Sequence, residues 1–280
     1  MDGTVNQNGA STVDGAKPGL GTGVGGDGVI EVADKFTARP TAGAVGPPGT
    51  RLARWLWPPR CLVCGGRGAD GLDLCPACTT GLPWLISACH CCAIPLATAD
   101  PTLLCGHCLQ QPPSLAETHA ACLYGAPLDR LLPRFKFHHD LAAGRLLAQL
   151  MARAFAPLPP AWPRPAALLP VPLHPRRLRQ RGYDQALELA RPLARELQLP
   201  LRVDLLTRVR DTAPQSRLQA TQRQRNLKDA FRIDRNAALP AHVVLVDDVM
   251  TTGATLHAAA DALQRAGVAR VDAWVCARVP

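Results

Sequence analysis

The chain has 280 residues, enough for one ordinary domain plus a smaller one. Its formal net charge of +9 and pI of about 9.3 suit a polyanion or a phosphate-rich small substrate, and do not choose between the two. No apolar run approaches the length that crosses a bilayer, and Met1–Gly9 lack the basic cluster and apolar stretch of a secretory leader, so no membrane span and a cytoplasmic location are expected.

Residues 1–52 are rich in Gly, Ala, Thr and Pro and poor in large apolar groups. Such a segment buries too little surface to offset its ordering entropy, so a disordered tail is expected, with only Val29–Val32 hinting at local structure. Residues 53–115 are short in period and punctuated by cysteine. Eight of the eleven cysteines form four CxxC pairs: Cys61 and Cys64, Cys75 and Cys78, Cys89 and Cys92, Cys105 and Cys108. Each pair presents two thiolates to one tetrahedral ion, and two pairs complete a structural zinc site, which fits a reducing compartment better than disulfides do. Eight ligands predict two zinc ions, closed and structural. The simplest pairing joins neighbours in sequence as two tandem ribbons; an interleaved pairing stays open, as does the use of His90, Cys91 or His107 in the second site. A redox role for the CxxC pairs is the rival reading. Trp55, Trp57 and Trp84 are expected to help the module form a core or dock, and Cys122 and Cys276 to be small buried hydrophobes.

Residues 116–280 alternate strand-like and helix-like patterns. Leu128–Phe135 and Leu141–Phe155 have helical spacing, with Asp140 as N-cap. A proline-rich break at Ala156–Pro165 precedes a strand at Ala166–Val171, a helix at Gln185–Leu197 and a strand at Leu201–Val209. Val243–Val246 has the continuous β-branched character of a buried parallel strand. A helix from about Thr252 to Ala266 is stopped by Gly267, and Val271–Val279 supplies a last strand. This order predicts an α/β domain with a mostly parallel sheet flanked by helices.

The strongest chemical signal is VVLVDDVMTTGATL, Val243–Leu256. The buried strand is expected to deliver Asp247 and Asp248 at its carboxyl end, where open α/β sheets bind ligands. Carboxylates accept strong bonds from vicinal ribose hydroxyls. The loop Thr251, Thr252, Gly253, Ala254, Thr255 then opens a helix, so that backbone N–H groups, the positive helix end and threonine hydroxyls converge on a phosphate. Simple helix capping by Asp248 and Thr252 is the bland alternative. The string resembles the phosphoribosyl-pyrophosphate (PRPP) binding motif of type I phosphoribosyltransferases. That resemblance implies that the two acids contact the ribose hydroxyls, that residues 251–255 hold the 5′-phosphate, and that magnesium arrives with the pyrophosphate.

Two arginine-rich segments accompany it. In Leu168–Ala190 a strand and turn lead into Arg176, Arg177, Arg179 and Arg181, whose guanidinium forks suit a pyrophosphate, although such a run also describes a solvated basic face. Arg208–Phe231, with Arg208, Arg210, Arg217, Arg223, Arg225 and Lys228, is too polar for a core and reads as a mobile loop with a short helix, of the kind that closes over a substrate, or as a surface insertion. The patterns HPxRxRxRGYDQ, RxRxTxxQ, LxxxxRxxN and VDDVMTTGAT, together with Arg134–Phe137 and the cysteine module, resemble the ComF family (ComFC or GntX-like proteins) over about Arg60–Pro280. The match marks His174, Arg177, Arg181, Gln185, Arg208, Thr212, Gln215, Arg223 and Asn226 as motif positions. Asp184 stands where the family usually has Asn, and Gln222 where it usually has Glu.

The resemblance implies a double zinc ribbon followed by a phosphoribosyltransferase domain. Transfer of phosphoribosyl from PRPP to an unknown acceptor is the leading expectation, with Arg177, Arg181, Arg208 and Arg223 at the pyrophosphate and its covering loop. No residue stands out as a base for the acceptor. The family's link to natural competence and DNA uptake implies the other reading, a DNA-binding or nucleotide-sensing factor with single-stranded DNA and a competence-machinery protein as partners. Aromatic residues make up only 4% of the chain, which leaves few stacking platforms for a dedicated single-strand binder.

Overall fold

Four parallel strands in the order β1-β6-β5-β2 form the central sheet of the computed structural model: Thr118–Leu123 (β1), Ala167–Pro170 (β2), His242–Met250 (β5) and Arg270–Arg278 (β6). The structure describes residues 58–98, 100, 103–156, 162–211, 229–234 and 236–280. The expected tail, Trp55, Trp57, and the motif positions Thr212, Gln215, Gln222, Arg223 and Asn226 lie outside them.

Two helices in the cysteine region are short, Pro76–Thr80 (α1) and Gly106–Gln110 (α2). Helices Leu128–Phe137 (α3), Leu141–Phe155 (α4) and Gln185–Glu196 (α6) cover one face of the sheet. Their Leu131, Phe135, Leu147, Met151 and Leu189 meet Val244, Val246 and Trp274 in one buried cluster. Helix Ala254–Arg265 (α7) covers the other face, where Leu256, Ala259 and Leu263 pack on Val243, Leu245 and Val275. Both faces of β5 are therefore dry, which is why its sequence is a continuous apolar run and not an alternation. Burial on this scale is worth about 25 cal/mol per Å² of apolar area, so these two layers dominate the driving force. The expected parallel sheet with flanking helices is the observed one, and Asp140 does cap α4, its side chain accepting from Ala143 N at 2.9 Å.

The expected strand at Leu201–Val209 is corrected. Only Leu206–Arg208 (β3) is a strand, and it pairs antiparallel with Phe231–Ile233 (β4) in a separate two-stranded sheet. Arg202 grips Asp204 through Nε and Nη2 at 2.8 and 2.6 Å, which turns the chain before β3, and Leu201 makes only an isolated bridge to Leu168. The arginine run also differs from a turn and loop: Pro175–Arg181 is a helix (α5), begun by proline behind the His174 cap and ended by Gly182 at φ 80°.

The cysteine region straddles the sheet at the β1 side. Cys61, Leu72, Leu74 and Leu82 join the α3–α4–α6 cluster, whereas Ala93 and Leu115 join the α7 cluster. Between them, residues 83–85 run antiparallel to β1: Leu85 N donates to Ala121 O at 3.1 Å and Leu123 N to Pro83 O at 2.8 Å, and Trp84 bridges Cys122. Cys122 and Cys276 are fully buried in apolar surroundings, as expected.

A polar knot closes the amino end of the strands. Glu117, 6% exposed, accepts from His90 at 3.3 Å, His119 at 3.1 Å, Trp162 and Arg270. Asp272, fully buried, accepts from His242 at 2.7 Å and Arg270 at 3.1 Å. Burial would raise the Glu117 carboxyl, but the hydrogen bonds from His119 and Arg270, with His90 and the Arg270 charge adding to them, outweigh it and hold it down at about 2.

Candidate functional site

β5 outruns β2. Their last pair is Pro170↔Val246, whereas β5 continues beside β6 to Met250↔Arg278. Asp247 and Asp248 therefore lie within β5 and not beyond its end, a correction to the expected strand Val243–Val246. They nevertheless lie just past the point where β2 has stopped, toward the carboxyl ends of the strands, where open α/β sheets bind ligands. Val171 N closes on Val246 O at 2.9 Å, and the chain then leaves toward α5.

The acids are not equivalent. Asp248 pairs with Lys136 from the end of α3, Nζ to Oδ2 at 2.9 Å. Burial is the main influence on Asp247, and the adjacent Asp248 charge adds to it, so its carboxyl is pushed up to about 8 despite Lys136. Asp184, the departure from the family's asparagine, accepts from Leu173 N at 2.8 Å and Leu187 N at 3.1 Å, one per oxygen. It caps α6 and pins the β2–α5 connection. Its position is explained by these two backbone bonds.

After Met250 the loop rises through exposed Thr251 and Thr252 to Gly253, at φ 75°. A side chain there would bring Cβ within 2.4 Å of Met250 Cε and 3.1 Å of His257 Nε2, in a conformation that disfavours L-residues. Gly253 thus starts α7 two residues later than Thr252. Thr252 Oγ1 accepts from Ala254 N at 3.4 Å. Residues 251–255 are brought together as an open turn on the positive end of a twelve-residue helix.

The arginines divide. Arg177 pairs with Asp211 at 3.1 Å and lies close enough to Arg208 to disfavour its charge, second to burial, while Asp247 and Asp211 oppose that effect. Arg208 is 7% exposed and lies over the Phe231 ring at 5.6 Å. This group borders Asp247. Arg181 instead donates to Gln185 Oε1 at 2.6 Å and stacks 5.4 Å from the Phe137 ring, beside Lys136. Arg208 and Phe231, where the second arginine-rich segment begins and ends, are held together by β3 and β4.

Sequence reasoning assigns no role to Lys136, although its motif is visible, nor to Arg278. Arg278 Nη1 donates to Thr251 O at 2.6 Å at the start of the loop. A charged residue in a buried β6 strand is the signal that could have flagged it.

The cysteines resolve into the neighbour pairing. Sγ atoms of Cys61, Cys64, Cys75 and Cys78 lie within 4.8 Å of one another, and so do those of Cys89, Cys92, Cys105 and Cys108. The Cys64–Cys75 and Cys92–Cys105 Sγ separations are both 3.6 Å. Tetrahedral zinc with Zn–S of about 2.3 Å demands an edge of about 3.8 Å, so both donor sets fit the ion. Burial alone would raise Cys61 and Cys89, but backbone N–H groups outweigh it and hold them at about 6 and about 7. His90 is turned to Glu117, and Cys91 Sγ to Ala116 O at 3.7 Å.

A double zinc ribbon joined to a phosphoribosyltransferase domain is therefore the class of protein that fold and site define. Residues 52–123 match the Double zinc ribbon domain family and residues 184–280 the Phosphoribosyl transferase domain family. Over 214 residues the chain is 39% identical to "DNA utilization protein YhgH" of Salmonella typhi, covering 73% of this chain and 90% of that one. It is 38% identical over 178 residues to "Competence protein F" of Haemophilus influenzae (62% and 78%) and 31% identical over 155 residues to "Competence protein ComFC" of Bacillus subtilis (55% and 61%). The chain belongs to the ComF family. No helix among the described residues is long and apolar enough to cross a membrane.

Proposed function

We propose that this chain binds PRPP with magnesium and transfers the phosphoribosyl group to an acceptor. The observation that carries the reading is one continuous unit: two acids at the β2–β5 step, a Gly253 turn and the amino end of α7. Asp247 and Asp248 would accept the ribose hydroxyls, and the N–H groups and hydroxyls of Thr251, Thr252, Gly253, Ala254 and Thr255 would hold the 5′-phosphate. The bond from the ribose anomeric carbon to pyrophosphate breaks and a bond to the acceptor nucleophile forms. Arg177, Arg181 and Arg208, with Arg223, would neutralise the departing pyrophosphate. Asp248 is taken up by Lys136 and Asp184 by two amides, so the acids do not form a metal cage of their own. Magnesium, which shields phosphate charge, would travel on the pyrophosphate oxygens. A high Asp247 pKa suits a group meeting hydroxyls, since either protonation state can bond them.

A second reading is supported by the net charge of +9 and by the names of the relatives. In it the chain is a cytoplasmic competence factor that recognises DNA ends or nucleotides through the same fold, without turnover, alone or with a competence-machinery partner. Calorimetry with PRPP and magnesium tests the first reading: Asp247→Asn/Asp248→Asn should abolish binding, and unchanged affinity would overturn the site. Salt-titrated binding of single-stranded DNA tests the second, since phosphate contacts weaken steeply with salt. No affinity at moderate salt removes it. A turnover screen over bases, nucleotides and DNA ends supplies the acceptor.

A further inference from the structure

Arg278, at the end of β6, is 8% exposed, and its guanidinium reaches carbonyls of two different modules. Nε donates to Cys92 O at 2.8 Å, inside the second four-cysteine group. Nη1 donates to Thr251 O at 2.6 Å, lies 3.3 Å from Met250 O, and also meets the Val279 carbonyl. One planar fork therefore spans a metal knuckle and the first peptide of the phosphate loop. Lysine, a point donor, does not reproduce such a span.

The consequence for the loop follows from peptide geometry. In a trans peptide the C=O and the next N–H point in opposite directions. With Thr251 O drawn inward to Arg278, the Thr252 N–H is directed outward, the side from which an anion approaches. The helix that follows the loop is tied, farther along, to the chain just after the same ribbon. Ser114, just after the second knuckle, bonds Asp261 of α7, and Gln264 Nε2 donates to Ser114 O at 2.7 Å. The first ribbon is fastened elsewhere: Arg134 Nη1 donates to Leu62 O at 2.8 Å and Arg145 pairs with Asp73 at 2.9 Å, on α3 and α4.

We infer that the second zinc ribbon positions the phosphate loop, with Arg278 as the positioning residue. Closure of Cys89, Cys92, Cys105 and Cys108 on zinc fixes the Cys92 carbonyl, that carbonyl orients Arg278, and Arg278 holds the Met250–Thr251 peptides. Metal occupancy at one site thereby sets anion affinity at another, while the first zinc site has no such link among the described residues. The affinity consequence rests on the sugar-phosphate reading above; the loop-ordering consequence does not.

The test uses the full chain loaded with zinc, with metal content, amide hydrogen exchange over residues 251–255 and PRPP–magnesium calorimetry as readouts. Arg278→Met should keep two zinc ions per chain, speed exchange over the loop about ten-fold and weaken PRPP about ten-fold, the loss of one orienting set of hydrogen bonds. Cys108→Ser should speed the same amides in the wild type but add little in the Arg278→Met background, because both act through one contact. Cys64→Ser should lose one zinc and leave those amides slow. Unchanged loop exchange in zinc-replete Arg278→Met, or full additivity with Cys108→Ser, overturns the coupling. Should Arg278→Met lose metal or fail to fold, equal loop effects of Cys108→Ser and Cys64→Ser overturn it, and a selective effect of Cys108→Ser supports it. A wild-type protein that binds no PRPP would sink the sugar-phosphate reading, while the exchange measurements would still decide the loop coupling.

Discussion

Replacing Asp247 with Asn should stabilise the protein, and increasingly so as pH rises from about 4 to about 8. Asp247 sits between the Asp248 charge and the buried β5 backbone, and burial, more than its neighbour, pushes its carboxyl from the usual 3.8 up to about 8. At about 1.36 kcal/mol for each tenfold change in proton affinity, the ionised form is disfavoured by about 5–6 kcal/mol. Asp247 is only half-buried, which reduces the usable figure to about 2–3 kcal/mol. The sign follows from proton linkage. Between about pH 4 and pH 8 the folded state holds a proton that the unfolded state has lost, so wild-type stability falls as pH rises through this window and levels off above it. Asn is neutral at every pH and its Oδ1 retains the acceptor for Asp248 N, now 2.8 Å away. Thermal melts of wild type and Asp247→Asn should therefore coincide near pH 4 and separate by about 5–10 °C at pH 8, the variant melting higher. An Asp247→Asn protein that melts lower at pH 8, or a difference that does not change with pH, would refute the reasoning.

Gly253→Ala should cost about 1–2 kcal/mol for the left-handed conformation and weaken PRPP binding far more than its small drop in melting temperature suggests; calorimetry beside a melt separates the two effects. For Glu117→Gln a loss of about 3 kcal/mol is expected at neutral pH, because His90, His119 and Arg270 lose their buried partner. The wild-type contribution of Glu117 is complete above pH 4.5 and disappears as pH falls through about 2, so acid melts of the two proteins should converge there. Metal analysis should find two zinc ions per chain, one in Cys61→Ser and one in Cys89→Ser; a single ion in the wild type would break the two-site assignment.

The contiguous parts of the site are legible in the sequence. Val243–Leu256 carries strand, acids, turn and helix start in one string, and local chemistry alone orders them. What sequence does not supply is closure between distant segments. Lys136 meets Asp248 across more than one hundred positions, and Arg278 meets Cys92 across nearly twice that, so no periodicity links them. The four CxxC pairs have degenerate spacings, and only the fold distinguishes neighbour from interleaved pairing. α5 is hidden although Pro175 and Gly182 announce it, because so dense an arginine run reads as charge before it reads as helix. β1 escapes because THAACL is small and mixed, and its strand character comes from its place beside β6. Leu201–Val209 reads too long because its apolar residues flank the Arg202–Asp204 grip.

The strip at residues 83–85 has a further consequence for how this chain can be divided. It occupies the hydrogen-bonding groups on the outer side of β1 that would otherwise form a free strand edge, and free edges recruit other chains. At the opposite border, Pro200 and Arg202 do the same for Leu168. The inter-ribbon connection is thus the selvedge of the sheet. A fragment beginning at residue 116 would carry every residue proposed to touch the sugar phosphate, yet it would present an unfinished border and two bared apolar patches, where Cys61, Leu72, Leu74 and Leu82 and where Ala93 and Leu115 had packed. Solubility would be its first failure.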